Sequence, residues 1–180
     1  MTLEPTDAAR WDVRATIHKY EGVDADERAV ADVDRQLADA LSEFAGNLLT
    51  TAGLTRLMNL FTAAGQAMTN TSARLGVGDG TTAAAVGDTD LSALAGSTHR
   101  QFEIMQATYP SVSGGVVTLQ VIFTTGEANF HWQEWGIDIG TPTVTAGTTV
   151  NATLVNHKVI DLGTKTSAAA WTFTVTITIA

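Results

Sequence analysis

The clearest pattern in the chain lies at its end. Trp171, Phe173, Val175, Ile177 and Ile179 alternate with Thr172, Thr174, Thr176 and Thr178. A period of two marks a strand with one buried face. The other face is then a row of threonines, at the surface or under a neighbour. Val117, Leu119, Val121 and Phe123 repeat the pattern, with Thr118, Gln120 and Ile122 opposite. Shorter runs at 73–77, 100–106, 130–139 and 151–162 also read as strands. Between them lie turn-forming segments such as Tyr109-Pro110-Ser111-Val112-Ser113-Gly114-Gly115 and a polar loop over 140–149. Several strands joined by short turns imply an antiparallel sandwich or barrel-like domain.

The first third has a different rhythm. Trp11, Val13, Ala15 and Ile17 alternate with Asp12, Arg14, Thr16 and His18. This suits a strand-like arm over 1–23 that docks on its own domain or on a neighbouring subunit, with Trp11 as anchor. Val30, Val33, Leu37, Ala40, Leu41, Phe44 and Leu48 then recur at spacings of three and four. That spacing predicts an amphipathic helix over about 25–49, capped at Asp24 or Asp26. Its stripe packs inside the subunit or against a helix of another copy. Leu54, Leu57, Met58, Leu60 and Phe61 form a second, shorter helix that closes near Gly65. The expected architecture is therefore α+β: a docking arm (1–23), a helical region (24–66) and an antiparallel β-sandwich-like domain (67–180).

Composition narrows the function. The 180 residues carry a net charge of -9, and residues 1–50 hold eleven Asp/Glu against five Lys/Arg. Such a surface repels phosphate backbones, so direct nucleic-acid binding is not expected. Two helices with a tight turn suggest helix-turn-helix DNA binding, but the second offers only Arg56 as a cation. There is no cysteine, hence no disulfide or thiolate metal site. No run reaches the roughly 20 apolar residues of a membrane span, and the N-terminus lacks the basic and apolar regions of a signal peptide.

The candidate chemistry is thin. Gly76-x-Gly78-x-Gly80 superficially resembles a phosphate loop, but it lacks the lysine and a clear following helix, so a tight turn needing positive φ is the expectation. Asp79, Asp88 and Asp90 do not have EF-hand spacing and more simply cap turns. His99, His131 and His157 could converge only through the fold. His131 and Glu134 do not form His-Glu-x-x-His, and on a regular strand they face opposite ways. The same rule separates Trp132 from Trp135, so one is expected in the core and the other at an interface or sheet edge. Side by side, the two rings would make a sugar-stacking platform. Glu127 and Glu134 as a glycosidase pair would need a cleft. No catalytic, cofactor or metal residue is assigned. Trp11, Val30, Val33, Leu37, Leu41, Phe44, Trp132 and Trp135 are the candidate contact residues.

One ordered set of short motifs adds to this. Gly46-Asn47-Leu48-Leu49, Gly53-Leu54 and Leu57 precede Leu75-Gly76-Val77-Gly78-Asp79-Gly80-Thr81-Thr82 and Asp88-Thr89-Asp90-Leu91. Then come Phe123-x-x-Gly126-Glu127-Ala128-Asn129-Phe130-x-Trp132-x-Glu134-Trp135-Gly136-Ile137, Leu154-Val155-Asn156-His157-Lys158, Leu162-Gly163-Thr164-Lys165 and Trp171-Thr172-Phe173-Thr174-Val175. In this order, over about 46–179, the chain resembles a family of tailed-bacteriophage virion structural proteins of the tail-fibre or tail-associated type. Members often carry an arginine where this chain has His157. The resemblance implies a non-enzymatic assembly protein without cofactors, present in several copies in the virion. Its partners would be copies of itself and other virion proteins. A tail, baseplate or fibre-attachment position comes first, and a capsid decoration or head-fibre protein second. A host-surface carbohydrate-binding module is the reading from another class, with a glycan as partner.

Overall fold

A computed structural model describes residues 11–21, 40–46, 48–62, 64–140 and 153–179. It contradicts the α+β expectation: the protein is mostly β, with 51% of the described residues in strands and 8% helical. The strands are β1 (Trp11–Glu21), β2 (Ala40–Ala45), β3 (Leu48–Leu49), β4 (Ala73–Gly78), β5 (Arg100–Ile104), β6 (Ser111–Ser113), β7 (Val116–Phe123), β8 (His131–Ile139), β9 (Leu154–Thr164) and β10 (Ala169–Ile179). One helix, α1 (Thr51–Phe61), stands among the described residues. They form two antiparallel five-stranded sheets, ordered β2-β1-β10-β7-β6 and β3-β9-β8-β4-β5.

The helix expected over 25–49 is overturned where it can be seen. Residues 40–45 form β2, which pairs with β1 from Arg14↔Ala45 to Lys19↔Ala40, and 48–49 form β3. Over so few residues a three-and-four spacing also fits a strand, and pairing with β1 decides the outcome. Asp24, Asp26, Val30, Val33 and Leu37 lie outside the described residues, as does most of the 140–149 loop. Leu41 sits on β2 and Trp11 opens β1, but their side chains are likewise outside the description. The arm is a sheet member: β1 lies between β2 and β10 and pairs with β10 along its whole length, from Trp11↔Ile179 to Glu21↔Ala169.

The alternation of β10 is realised as expected on its core side. Trp171, Phe173, Val175 and Ile177 are buried in the sandwich, together with Val13, Ala15 and Ile17 of β1 and Leu119, Val121 and Phe123 of β7. The second sheet supplies Leu75, Val77, Trp135, Ile137, Ile139 and Val155 to the same cluster. Phe44 packs against Trp135 and Phe173, at ring-centroid distances of 6.1 and 6.2 Å, and is a core-edge residue of this subunit.

The two tryptophans of β8 correct a second expectation. Both are buried, Trp132 at 0% exposure and Trp135 at 1%. The register with β9 is irregular between Trp132 and Glu134, and there the alternation of β8 changes phase. Such irregularities re-aim side chains. Trp132 therefore turns inward beside Trp135, against Phe123 (4.8 Å) and Trp171 (4.6 Å). Its indole N–H donates to the carbonyl of Ala128 at 2.9 Å. Both rings are enclosed within one subunit and offer no surface to a partner or a sugar.

The turn before β8 is held from below. Lys165, 1% exposed, donates from Nζ to the carbonyls of Thr124 (2.6 Å) and Glu127 (2.7 Å) and to Oδ1 of Asn129 (2.9 Å). Burial lowers its pKa to about 8. Positive φ in this turn falls on Ala128, at 50°, and not on Gly126.

Candidate functional site

The polar residues gather on the outer face of the β3-β9-β8-β4-β5 sheet, beneath the segment 79–99 that connects β4 to β5. Glu134 and Asp138 alternate with the core residues of β8, so they point away from the sandwich centre. The connecting segment lies over them and inserts Leu91, which forms a small apolar cluster with Phe102 and Leu154.

Glu134 is the centre of the arrangement, with 0% exposure. Its carboxylate accepts from Ser92 N (2.9 Å), Ser92 Oγ (2.7 Å) and Ala93 N (2.7 Å) on the segment. From its own sheet it is bonded by His157 Nε2 at 2.8 Å. The other imidazole nitrogen, Nδ1, lies 2.6 Å from Asp88 Oδ2. Asp88 in turn accepts the Ala85 N–H at 2.8 Å. His157 thus bridges two carboxylates and ties the connecting segment to β9.

The charges follow from these contacts. Burial pushes the Glu134 carboxyl up, but hydrogen bonds from His157, Ser92 and Ala93 outweigh it and hold the group below its usual range. Burial disfavours the His157 cation, yet Glu134 and Asp88 raise its pKa. Asp88 is lowered against its own burial by Ala85 and His157. With both ring nitrogens donating to carboxylates, His157 is an imidazolium without a free lone pair, so it cannot act as a general base in this state.

Two further ion pairs flank this bridge. Arg74 pairs with Asp138, both buried, and its guanidinium lies 5.3 Å from the centre of the Phe102 ring. Arg100 on β5 meets Asp90 at 2.9 Å. Asp79 takes His99 Nδ1 at 2.7 Å. The three aspartates therefore go to three different partners: Asp79 to His99, Asp88 to His157 and Asp90 to Arg100. The histidines diverge in the same way, since His131 pairs with Asp161 near the surface at 2.8 Å. Among the described residues no group of three acidic or histidine ligands could hold a metal ion. Glu127 is also spoken for: it accepts Thr124 N and Oγ1 at 2.8 and 2.7 Å.

The glycine-rich run serves this packing and is not a turn. Gly76 and Gly78 lie within β4, and none of Gly76, Gly78 and Gly80 has positive φ. A Cβ on Gly76 would lie only 2.1 Å from the Phe102 ring. A Cβ on Gly78 would meet Glu134 Oε1 at 2.5 Å and Ala93 Cβ at 2.9 Å. On Gly80 it would lie 2.5 Å from Ala93 N and closer still to Ser92 Oγ. Glycine here lets the 91–93 backbone reach the Glu134 carboxylate. Gly80→Ala is expected to displace that backbone and cost about 1–3 kcal/mol, read as a lower urea midpoint with an unchanged slope.

Sequence reasoning found Glu134, His157 and Asp88 separately but not their convergence, because 46 residues separate Asp88 from Glu134 and no local spacing links them. It also missed Arg74, Asp138, Ser92 and Lys165. An isolated charge inside an apolar strand, as at Arg74 and Asp138, was the available signal.

The bridge makes stability depend on pH in a defined sense. The His157 contribution is complete below its unfolded value near 6.5 and is lost as pH rises through its higher folded value. The Glu134 and Asp88 contributions are present above their unfolded values, 4.5 and 3.8, and are lost as pH falls through their lower folded ones. Between about 4.5 and 6.5 all three operate. Urea midpoints of the protein and of His157→Gln are expected to differ most in that window and to converge in alkaline buffer. Comparing the two proteins cancels the opposing titration of Glu103, which burial raises to about 7.

The fold and site define a two-sheet antiparallel sandwich whose buried ionic network fastens a long connecting segment to one sheet. Comparisons with family models, curated proteins and solved structures found no match. No helix among the described residues is long and apolar enough to cross a membrane.

Proposed function

We propose that this chain is a non-enzymatic structural protein of a tailed-bacteriophage particle, present in several copies and assembled in the bacterial cytoplasm. The observation that carries this reading is where the motif residues sit. Gly76, Gly78, Gly80, Asp88, Glu134, Gly136 and His157, spread over much of the chain, lie together at the junction between the 79–99 segment and its sheet. Its acids and its imidazole are engaged with one another, which suits a scaffold more than a reaction centre. The sugar-platform alternative loses support, since Trp132 and Trp135 are sealed in the core.

Self-association is part of the proposal. β5 and β6 each end a sheet, and Ile104 and Val112 beside these edges are 56% and 75% exposed. Open edges of this kind can be covered by a neighbouring copy or another particle protein. A tail, baseplate or fibre-attachment position is favoured on the resemblance, with a head position as the alternative. The test is twofold. Light scattering on the purified protein should give a defined oligomer, and labelled antibody on intact particles should decorate the tail. A monomer at high concentration, or particles that contain none of the chain, would overturn the proposal.

A further inference from the structure

Lys165 sits where its side chain has chemistry beyond holding the turn. Its Nζ donates to the carbonyls of Thr124 (2.6 Å) and Glu127 (2.7 Å) and to the side-chain oxygen of Asn129 (2.9 Å). None of these acceptors is a carboxylate. The carboxylate of Glu127 takes Thr124 N and Oγ1 instead, and it acts on Lys165 through its charge. A buried ammonium held only by neutral oxygens gives up a proton more readily than one in water. The neutral amine left behind is a nucleophile beside a carboxamide.

The two groups are fixed by the elements that carry them. Asn129 stands two residues before β8 and Lys165 directly follows β9, and these strands pair from His131↔Thr164 onward. Lys165 N donates to Phe130 O at 3.1 Å, which ties the two backbones together. The Asn129 amide is oriented as well: Nδ2 donates to Thr125 O at 2.8 Å, so Oδ1 faces Nζ. Cγ is one C=O bond from Oδ1 and hence at most about 4.1 Å from Nζ. When the ammonium loses a proton, the two shorter bonds, to backbone carbonyls, keep theirs. The lone pair then appears in the third direction, toward Asn129. It repels Oδ1 and is drawn to the electrophilic Cγ, so a small side-chain rotation sets nucleophile and carbon face to face. Holding two reactants in this way replaces a bimolecular encounter with a unimolecular step.

We propose that Lys165 and Asn129 join in a side-chain amide bond, formed by the folded chain on itself without enzyme or cofactor. Nζ adds to Cγ, and the Cγ–Nδ2 bond breaks. Of the two protons on the neutral amine, one stays on the new amide nitrogen. The other passes to Nδ2, which leaves as ammonia, and nothing is oxidised or reduced. Asn129 is exposed, so water can carry that proton and the ammonia departs into solvent. The product replaces a buried cation with a neutral group and closes one end of the β8–β9 pair covalently. The reaction follows the neutral fraction of Lys165, which burial makes substantial at about pH 8. Glu127 is the charge that opposes deprotonation, and Glu103 is the acid coupled to Glu127. This inference stands whether or not the chain is a particle protein.

The experiment is intact-mass spectrometry of the purified full chain, incubated at pH 6 and at pH 9, followed by tryptic mapping. The expected result is loss of one ammonia, about 17 Da, complete on purification or reached about two orders of magnitude faster at pH 9 than at pH 6. Residues 101–157 contain no Lys or Arg. Trypsin should therefore leave 101–158 joined to 159–180, with Lys165 uncut. Lys165→Arg and Asn129→Ala should keep the full mass, and the map of the unaltered chain decides the matter even where a variant fails to fold. An unchanged mass in the folded protein after incubation at pH 9 would overturn the proposal. So would a gain of about 1 Da at Asn129, which is deamidation, or an ammonia loss at Asn129 with Lys165 still cleaved, which is a succinimide.

Discussion

Glu134→Ala is expected to destabilise the protein by about 3–5 kcal/mol, the usual cost of removing one partner from a buried ionic cluster. Four donors lose their acceptor at once: Ser92 N, Ser92 Oγ, Ala93 N and His157 Nε2. Ser92 is exposed and can turn to water, but Ala93 and His157 are buried and cannot. His157 is left with Asp88 alone, so its raised pKa falls. Glu134→Gln keeps the volume and one acceptor oxygen but turns an amide donor toward other donors, so its loss should be smaller, about 1–3 kcal/mol. The measurement is urea denaturation of all three proteins. Limited proteolysis adds a local readout: cleavage of the alanine variant should concentrate within 79–99 before the sandwich is degraded. A loss below about 1 kcal/mol would show that Glu134 does not organise this segment.

Trp132→Ala should cost about as much, 3–5 kcal/mol, by the different route of a large cavity. The ring lies at the meeting point of the two sheets, between Phe123, Trp171 and Phe173. Removing it also strips the carbonyl of Ala128 of its indole donor, in the turn that Lys165 holds. The opposite placement predicts a different number: a tryptophan on the outer surface, truncated to alanine, changes stability by only about 0.5 kcal/mol. Equilibrium unfolding of this one variant therefore tests the phase change in β8, with near-ultraviolet circular dichroism reporting the loss of the coupled aromatic cluster.

Both predictions concern the stretch 126–138, where local pattern and final structure diverge most. A strand was legible there, and so were the turn before it and the concentration of aromatic and ionisable residues. What was not legible was direction. Strict alternation sets Trp132 and Trp135 on opposite faces, whereas the irregular pairing with β9 puts both inside. That irregularity depends on the partner strand, about thirty residues downstream, and leaves no mark in the local spacing. The glycines of β4 teach the same lesson. Their number suggested a turn, but their role is to admit the Phe102 ring and the 92–93 backbone, neighbours that exist only once the chain has folded.

By itself, then, the sequence determined strand-like runs at about 11–18, 73–77, 100–106, 116–123, 130–139, 151–162 and 171–179 and a short helix over about 54–61, because runs of residues with a strong period specify an element locally. It also determined that β10 has a buried aromatic and aliphatic face. Tertiary structure decided the rest. It turned residues 40–45 from expected helix into β2, since six residues satisfy either period and the edge of β1 supplied the hydrogen bonds. It gathered Asp88, Glu134 and His157 into one bridge, since burial of a carboxylate becomes tolerable only where donors from several distant segments converge on it.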